Sequence, residues 1–261
     1  MTSICTEMRF ATCACLLAAG ILLTACGGGS GGSSQSTGTE AVFTAAASPA
    51  VAAALPAGSK TVVNDLGDTI VLEKAYLVLA NLNMESVCTG NSFYVSIEWL
   101  LDRLVPAAQA HTVATPTSTG VPIVVNLLAA DNVTVDLGRT SPPTGDYCGL
   151  TISLAAADDD AENLPTGAGE PDMIGKSLYL EGTQNGTPFT FSISAALIER
   201  KLLFNAPMTL TAANRHAAAT IAIHYDTWFQ GVDPAALNDT DLNNPASNQL
   251  LQNITASLHQ S

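Results

Sequence analysis

The sequence predicts a mainly β protein, an antiparallel β-sandwich with one or two short helices, one of them C-terminal. Three observations carry that expectation. Short apolar runs rich in β-branched and aromatic residues are separated by Gly, Pro and Asn turns. Two alternating runs flank Asn185-Gly186, a pair that tolerates the positive φ of a type I′ hairpin turn. No internal repeat and no strand–helix–strand rhythm is present.

The chain opens on an apolar run, Phe10 to Leu23, behind Arg9 and ahead of Leu23-Thr24-Ala25-Cys26. A run this short, after a positive charge and before small residues, reads as an export signal and is too short to span a bilayer. Leu-Thr-Ala-Cys resembles the bacterial lipobox, which implies cleavage before Cys26 and a lipid on its thiol. Glu7 is out of place in a positive n-region, so a start at Met8 fits the signal better. With residues 1–25 removed, no stretch reaches the length of a spanning helix. Gly27, not Asp, follows the cysteine, which by analogy with lipoprotein sorting favours the outer membrane.

Residues 26–58 read as a flexible Gly/Ser/Ala-rich tether. Gly27 to Thr39 is GGGSGGSSQSTGT, with a reach of about 20 Å for a random coil of that length. Ala45 to Ala57 is Ala-rich with two prolines and reads as a weakly ordered lead-in. A single domain is expected over residues 59–261.

Within it, Asp68 to Asn81 reads as a buried strand that continues past a bend. Ser96 to Val105 reads as a short helix ended by Pro106. Val121 to Leu128 and Tyr147 to Leu154 read as strands. In the hairpin Ser177 to Ser194, Phe189, Phe191 and Ile193 fall on one face, expected to point at the core. Ala195 to Phe204 and Pro207 to Ala212 supply further strand. Ala218 to Asp226 alternates Ile221, Ile223 and Tyr225 against Thr220, Ala222 and His224. Pro245 to Leu258 carries Leu250, Leu251, Ile254 and Leu258 at helical spacing, with Pro near the helix start.

The formal net charge is −14, and signal cleavage removes one charge of each sign, Glu7 and Arg9. So acidic a chain has no general field for a polyanion, which argues against nucleic acid as a partner. Of six cysteines, Cys5, Cys13 and Cys15 lie in the signal and Cys26 is the lipid site, leaving Cys88 and Cys148. In an oxidising compartment the simplest reading is one disulfide between them, restricting the unfolded chain by about 4 kcal/mol. A metal-binding pair is the alternative.

No phosphate loop, dinucleotide fingerprint, HExxH, Gly-x-Ser-x-Gly or Cys-x-x-Cys is present. Acid–base or metal chemistry must draw on four histidines: His111, His216, His224 and His259. His111 sits in a loop, and His224 lies on the polar face of its strand, so each is a candidate ligand or a solvated side chain. On one unbroken strand His216 and His224 would stand about 27 Å apart and could not share an ion. Met84, Met173 and Met208 are soft-ligand candidates or core residues. Asp158 to Glu162 and Asn238 to Asn244 are acidic, but the second has Asn244 and Leu250 where a calcium loop needs Gly and Glu. Capping and solvation explain it better. Trp228-Phe229 reads as a core plug at a strand end.

The runs Gly145 to Ile152, Ser177 to Gly182 and Phe189-Thr190-Phe191 together resemble the periplasmic MbnP-like copper-binding family. That resemblance implies a β-rich exported protein linked to copper handling. The family's Asn-His pair and Trp-x-Trp pattern are missing, because residues 169–175 read Gly-Glu-Pro-Asp-Met-Ile-Gly. No copper ligand therefore carries over from it. The expected function is a membrane-anchored extracytoplasmic lipoprotein that binds a small ligand or metal, copper first, with His111, His216 and His224 as candidate ligands. The alternative is a structural lipoprotein that displays its domain to an envelope protein. An envelope hydrolase ranks third.

Overall fold

The computed structural model describes residues 38–51, 53–86, 114–194, 198–239 and 244–261. They form eleven strands and one α-helix: β1 (Glu40–Ala47), β2 (Lys60–Val63), β3 (Thr69–Glu85), β4 (Ile123–Asn126), β5 (Thr134–Thr140), β6 (Gly145–Leu154), β7 (Leu178–Gln184), β8 (Thr187–Ile193), β9 (Ile198–Leu210), β10 (His216–Ile223), α1 (Pro245–Ala256) and β11 (Leu258–Gln260). The mainly β, sandwich-like expectation holds. Among the described residues no helix is long and apolar enough to cross a membrane.

Strand β3 is the spine of the larger, seven-stranded sheet, whose main path is β8-β7-β3-β6-β9. Leu72 opposes Lys60 of β2 on one edge and Gly182 of β7 on the other, and Leu79 opposes Ile123 of β4 and Leu154 of β6. The expected bend falls at Asn81, whose φ of 48° accompanies a register shift against β6 between Ala80 and Asn83. A second shift, between Leu72 and Lys74 against β7, brings the β3 backbone down on Gly182. A Cβ on Gly182 would lie 2.0 Å from the Val71 carbonyl oxygen, so only glycine fits there.

The smaller sheet has the order β11-β10-β1-β5. Its β1–β10 pair is parallel, unlike its other ladders, with Glu40 opposite His216 and Ala47 opposite Ile223. Here the domain boundary moves: residues 40–47, read from the sequence as tether, are an interior strand with Ala41, Phe43 and Ala45 fully buried. The Ala-rich composition hid it, because alanine has low strand propensity and signals little on its own. The lead-in after β1 is also tied down. Asp226 accepts hydrogen bonds from the amides of Ala50 and Val51, and the Gly58 amide donates to the Leu128 carbonyl.

Both sheets share one apolar core. Phe43 and Ile221 of the small sheet, Ile70, Leu77, Leu150 and Phe191 of the large one, and Leu250 and Ile254 of α1 belong to it. On β8 the face inferred from alternation is right: Phe191 and Ile193 are buried, and Phe189 meets Phe229 edge to face at 6.1 Å. Trp228 and Phe229 are buried as a plug, with the indole N–H donating to Ser257 Oγ. The acidic loop after β6 is not merely solvated. Ala157, Ala161 and Met173 fold over the outer face of the large sheet onto Tyr76, Val78 and Val124.

The helix expected from Pro245 ends at Ala256, with the Asn244 side chain accepting from the amides of Ala246 and Ser247. Leu258 leaves it for β11. The run expected from Ala218 to Asp226 is strand only from His216 to Ile223, and Tyr225–Thr227 form a 3-10 turn. The runs around Phe204 and Pro207 are one strand, β9, whose single main-path neighbour, β6, leaves room for a proline. The helix expected over Ser96 to Val105 lies outside the described residues. Replacing Gly182 with Ala should destabilise the fold by about 1–3 kcal/mol, read as a lower urea midpoint at unchanged slope.

Candidate functional site

Strand β10 runs out at Ile223, and the chain turns into the 3-10 turn at His224. The short β11 returns beside it: Ala222 opposes His259, and the His224 amide donates to the Ser257 carbonyl at 3.1 Å. Antiparallel pairing of a strand end with the C-terminal strand thus brings two imidazoles together, 35 residues apart in sequence. The His224 and His259 rings lie 4.9 Å apart, centroid to centroid, tilted by 35°. With Thr227, Gln230, Asn253, Ala256 and Ser257 they line an open depression of about 300 Å³.

Three polar neighbours of the pair, Thr227, Asn253 and Ser257, are engaged elsewhere. Thr227 Oγ1 donates to the His224 carbonyl, and the Asn253 amide donates to the carbonyls of Trp228 and Gln230. Ser257 Oγ accepts from Trp228 and donates to the Ile254 carbonyl at 2.6 Å, which removes it as a nucleophile for either histidine.

The His259 imidazole is held below its ordinary pKa of 6.5. Partial burial of the ring lowers it first, then the positive field of His224 and of Arg200, against a hydrogen bond with the Ala256 backbone that raises it. His259 is therefore neutral near pH 7, the form that presents a nitrogen lone pair to a metal. Among the described residues no group of three or more His, Cys, Asp or Glu side chains converges. The site offers two protein ligands.

Of the expected ligands, the structure brings His224 to a partner that spacing alone does not indicate. His216, at the opposite end of β10, is exposed, with Nδ1 3.2 Å from Glu40 Oε2, while the other Glu40 oxygen, Oε1, faces Arg139 at 3.3 Å. His216 and His224 therefore do not share a site. Asp226, expected on the His224 face of a continuous strand, is instead in the 3-10 turn, capping the lead-in. Met84 and Met173 are core residues. His111, Cys26 and Cys88 lie outside the described residues. Cys148 is buried in β6, its Sγ 3.6 Å from the Glu85 carbonyl at the end of β3.

No family model and no curated protein matches this chain. Among solved structures, MbnP from Methylosinus trichosporium aligns over 82% of this chain and 86% of its own, at 12% identity and a TM-score of 0.40. That is a distant structural similarity.

The depressed His259 has a stability consequence. Because the folded value lies below 6.5, the unfolded chain takes up the proton first as pH falls. Stability present above pH 6.5 is lost on acidification through the folded value, and it returns in His259→Asn. By NMR the His259 ring should titrate below 6.5 in the wild type and move upward in His224→Ala.

Proposed function

We propose that this chain is a lipid-anchored extracytoplasmic binding protein that takes a transition-metal ion, copper first, between His224 and His259. The observation that supports it is the pairing of two imidazoles, one with lowered proton affinity, over an open depression. Imidazole suits copper and zinc, and copper stands highest in the divalent affinity order. Two nitrogen donors meet the low coordination number of Cu(I), whereas Zn(II) needs four ligands, two of them from outside the described residues. When bound, the ion would be held by the imidazoles alone, and His224 and His259 would bind it without chemistry of their own.

The anchor rests on the Leu-Thr-Ala-Cys sequence ahead of Cys26 and on the glycine-rich stretch behind it. With β1 starting at Glu40, the tether shortens to residues 27–38. The disulfide reading also gains support: β3 ends at Glu85, beside Cys148 and three residues before Cys88. A second reading, display to an envelope protein, is favoured by the exposed Val63 and by Leu66, which edges a depression shared with Pro245 and Ala246.

Copper titration of the full chain should give one ion per molecule by metal analysis. His224→Ala or His259→Ala should weaken it at least tenfold, about 1.4 kcal/mol, while His216→Ala leaves it unchanged. Equal affinity in all three variants would exclude this site. For the anchor, Cys26→Ser should move the protein from the membrane to the soluble fraction, and non-reducing peptide mapping should recover Cys88 joined to Cys148.

A further inference from the structure

A buried cluster that includes Tyr225, the residue after His224, has a composition that metal binding at the histidines does not account for. Lys60, the first residue of β2, and Asp131, in the turn between β4 and β5, have no exposed side-chain surface, and Lys60 Nζ stands 2.9 Å from Asp131 Oδ1. The other carboxyl oxygen, Oδ2, accepts two hydrogen bonds, from the Leu55 amide at 2.5 Å and from the Tyr225 hydroxyl at 2.8 Å. Nζ also faces the carbonyl oxygens of Leu55 at 3.4 Å and Pro56 at 3.2 Å, and lies 5.7 Å from the Tyr225 ring centroid.

The two carboxyl oxygens are thus differentiated. Oδ2 sits between two fixed donors, the arrangement that stabilises an oxyanion on a tetrahedral carbon. Oδ1 faces the amine. Nζ stands 2.9 Å from Oδ1, one bond away from the carboxyl carbon it would attack, and a preorganised intramolecular reaction reaches effective concentrations of about 10⁵ M or more. The Leu55 and Pro56 carbonyls are placed to accept the N–H bonds of a nitrogen that becomes positive as it attacks.

From this geometry we infer that Lys60 and Asp131 form an intramolecular isopeptide bond, with the Leu55 amide and the Tyr225 hydroxyl as the oxyanion site. The step balances within the pair. A proton passes from the ammonium to Oδ1, and the neutral amine adds to the carboxyl carbon, forming the Nζ–Cγ bond while charge collects on Oδ2. A second proton passes from nitrogen to Oδ1, the Cγ–Oδ1 bond breaks, and one water leaves. Ammonium and carboxylate become a neutral amide with no oxidant or co-reactant. Expulsion of the water from a closed site opposes the reverse hydrolysis. The bond joins β2 of the large sheet to the turn that leads into β5 of the small one, a covalent lock suited to an exported domain.

The test is peptide mapping of the full chain, purified in detergent, shown folded by circular dichroism, then denatured, reduced, alkylated and digested. The expected result is a branched peptide carrying both Lys60 and Asp131, lighter than its two linear parts by the mass of one water. Lys60→Arg, which keeps the charge, should yield linear peptides only. Tyr225→Phe should slow formation about 10²-fold, the usual effect of losing one oxyanion donor, read as a smaller branched fraction at a fixed time after synthesis. Quantitative recovery of linear, unmodified Lys60 and Asp131 peptides from folded wild-type protein overturns the inference and leaves the pair as an ion pair only.

Discussion

Lys60 carries an amine into a site with no exposed side-chain surface, and three separate parts of the chain are arranged to meet it. Moving an ammonium out of water costs several kcal/mol even after the protein relaxes, unless a counter-charge and enough acceptors are waiting. Asp131 supplies the charge, the Leu55 and Pro56 carbonyls supply acceptors, and Tyr225 and the Leu55 amide hold the carboxylate in turn. These groups come from the lead-in before β2, from the turn between the sheets and from the 3-10 turn after β10. Meeting one amine therefore fixes the position of the lead-in, the crossing from large to small sheet and the exit of the small sheet's inner strand. The constraint is the same whether the pair remains ionic or condenses to an amide.

That exit is also where the histidines meet. Tyr225 is held by Asp131, and Trp228 is held by Ser257, so the 3-10 turn after β10 is pinned on both sides. His224 stands immediately before the turn, and β11 runs beside β10 because α1 delivers Leu258 into the core. The two imidazoles thus sit on a rigid support although neither is buried. His216 marks the other end of the same strand, opposite Glu40 at the start of β1. The candidate site and the start of β1 consequently lie at opposite ends of β10.

Much of the architecture was legible where local chemistry and tertiary position agree. The Asn185-Gly186 hairpin, the alternation of Phe189, Phe191 and Ile193, the bend in β3 and the Asn244-capped helix all follow rules that act within a few residues. The elements that escaped are those whose signal is weak or short. β1 is built largely of alanine, β2 and β11 are four and three residues long, and the Asp and Gly of β5 speak against a strand. Each exists because a neighbour pairs with it. Of the expected site, His224 was legible as a polar-face histidine. His259 stands in the sequence as no more than one of four histidines, since nothing within its short C-terminal segment points to β10.

The sequence by itself determined the acidic charge that argues against a polyanion partner and the β-rich class, and it supplied the resemblance to a lipobox on which the proposed anchor rests, because each is a property of composition or of short-range pattern. Only the tertiary structure decided which side chains meet. Strand pairing placed His259 beside His224 rather than leaving His216 as its companion. Burial turned Lys60, Asp131 and Tyr225, three unremarkable residues in the sequence, into one reactive cluster. The physical reason is common to both cases: contact between residues 35 to 165 positions apart depends on register and layer packing, which no local pattern encodes.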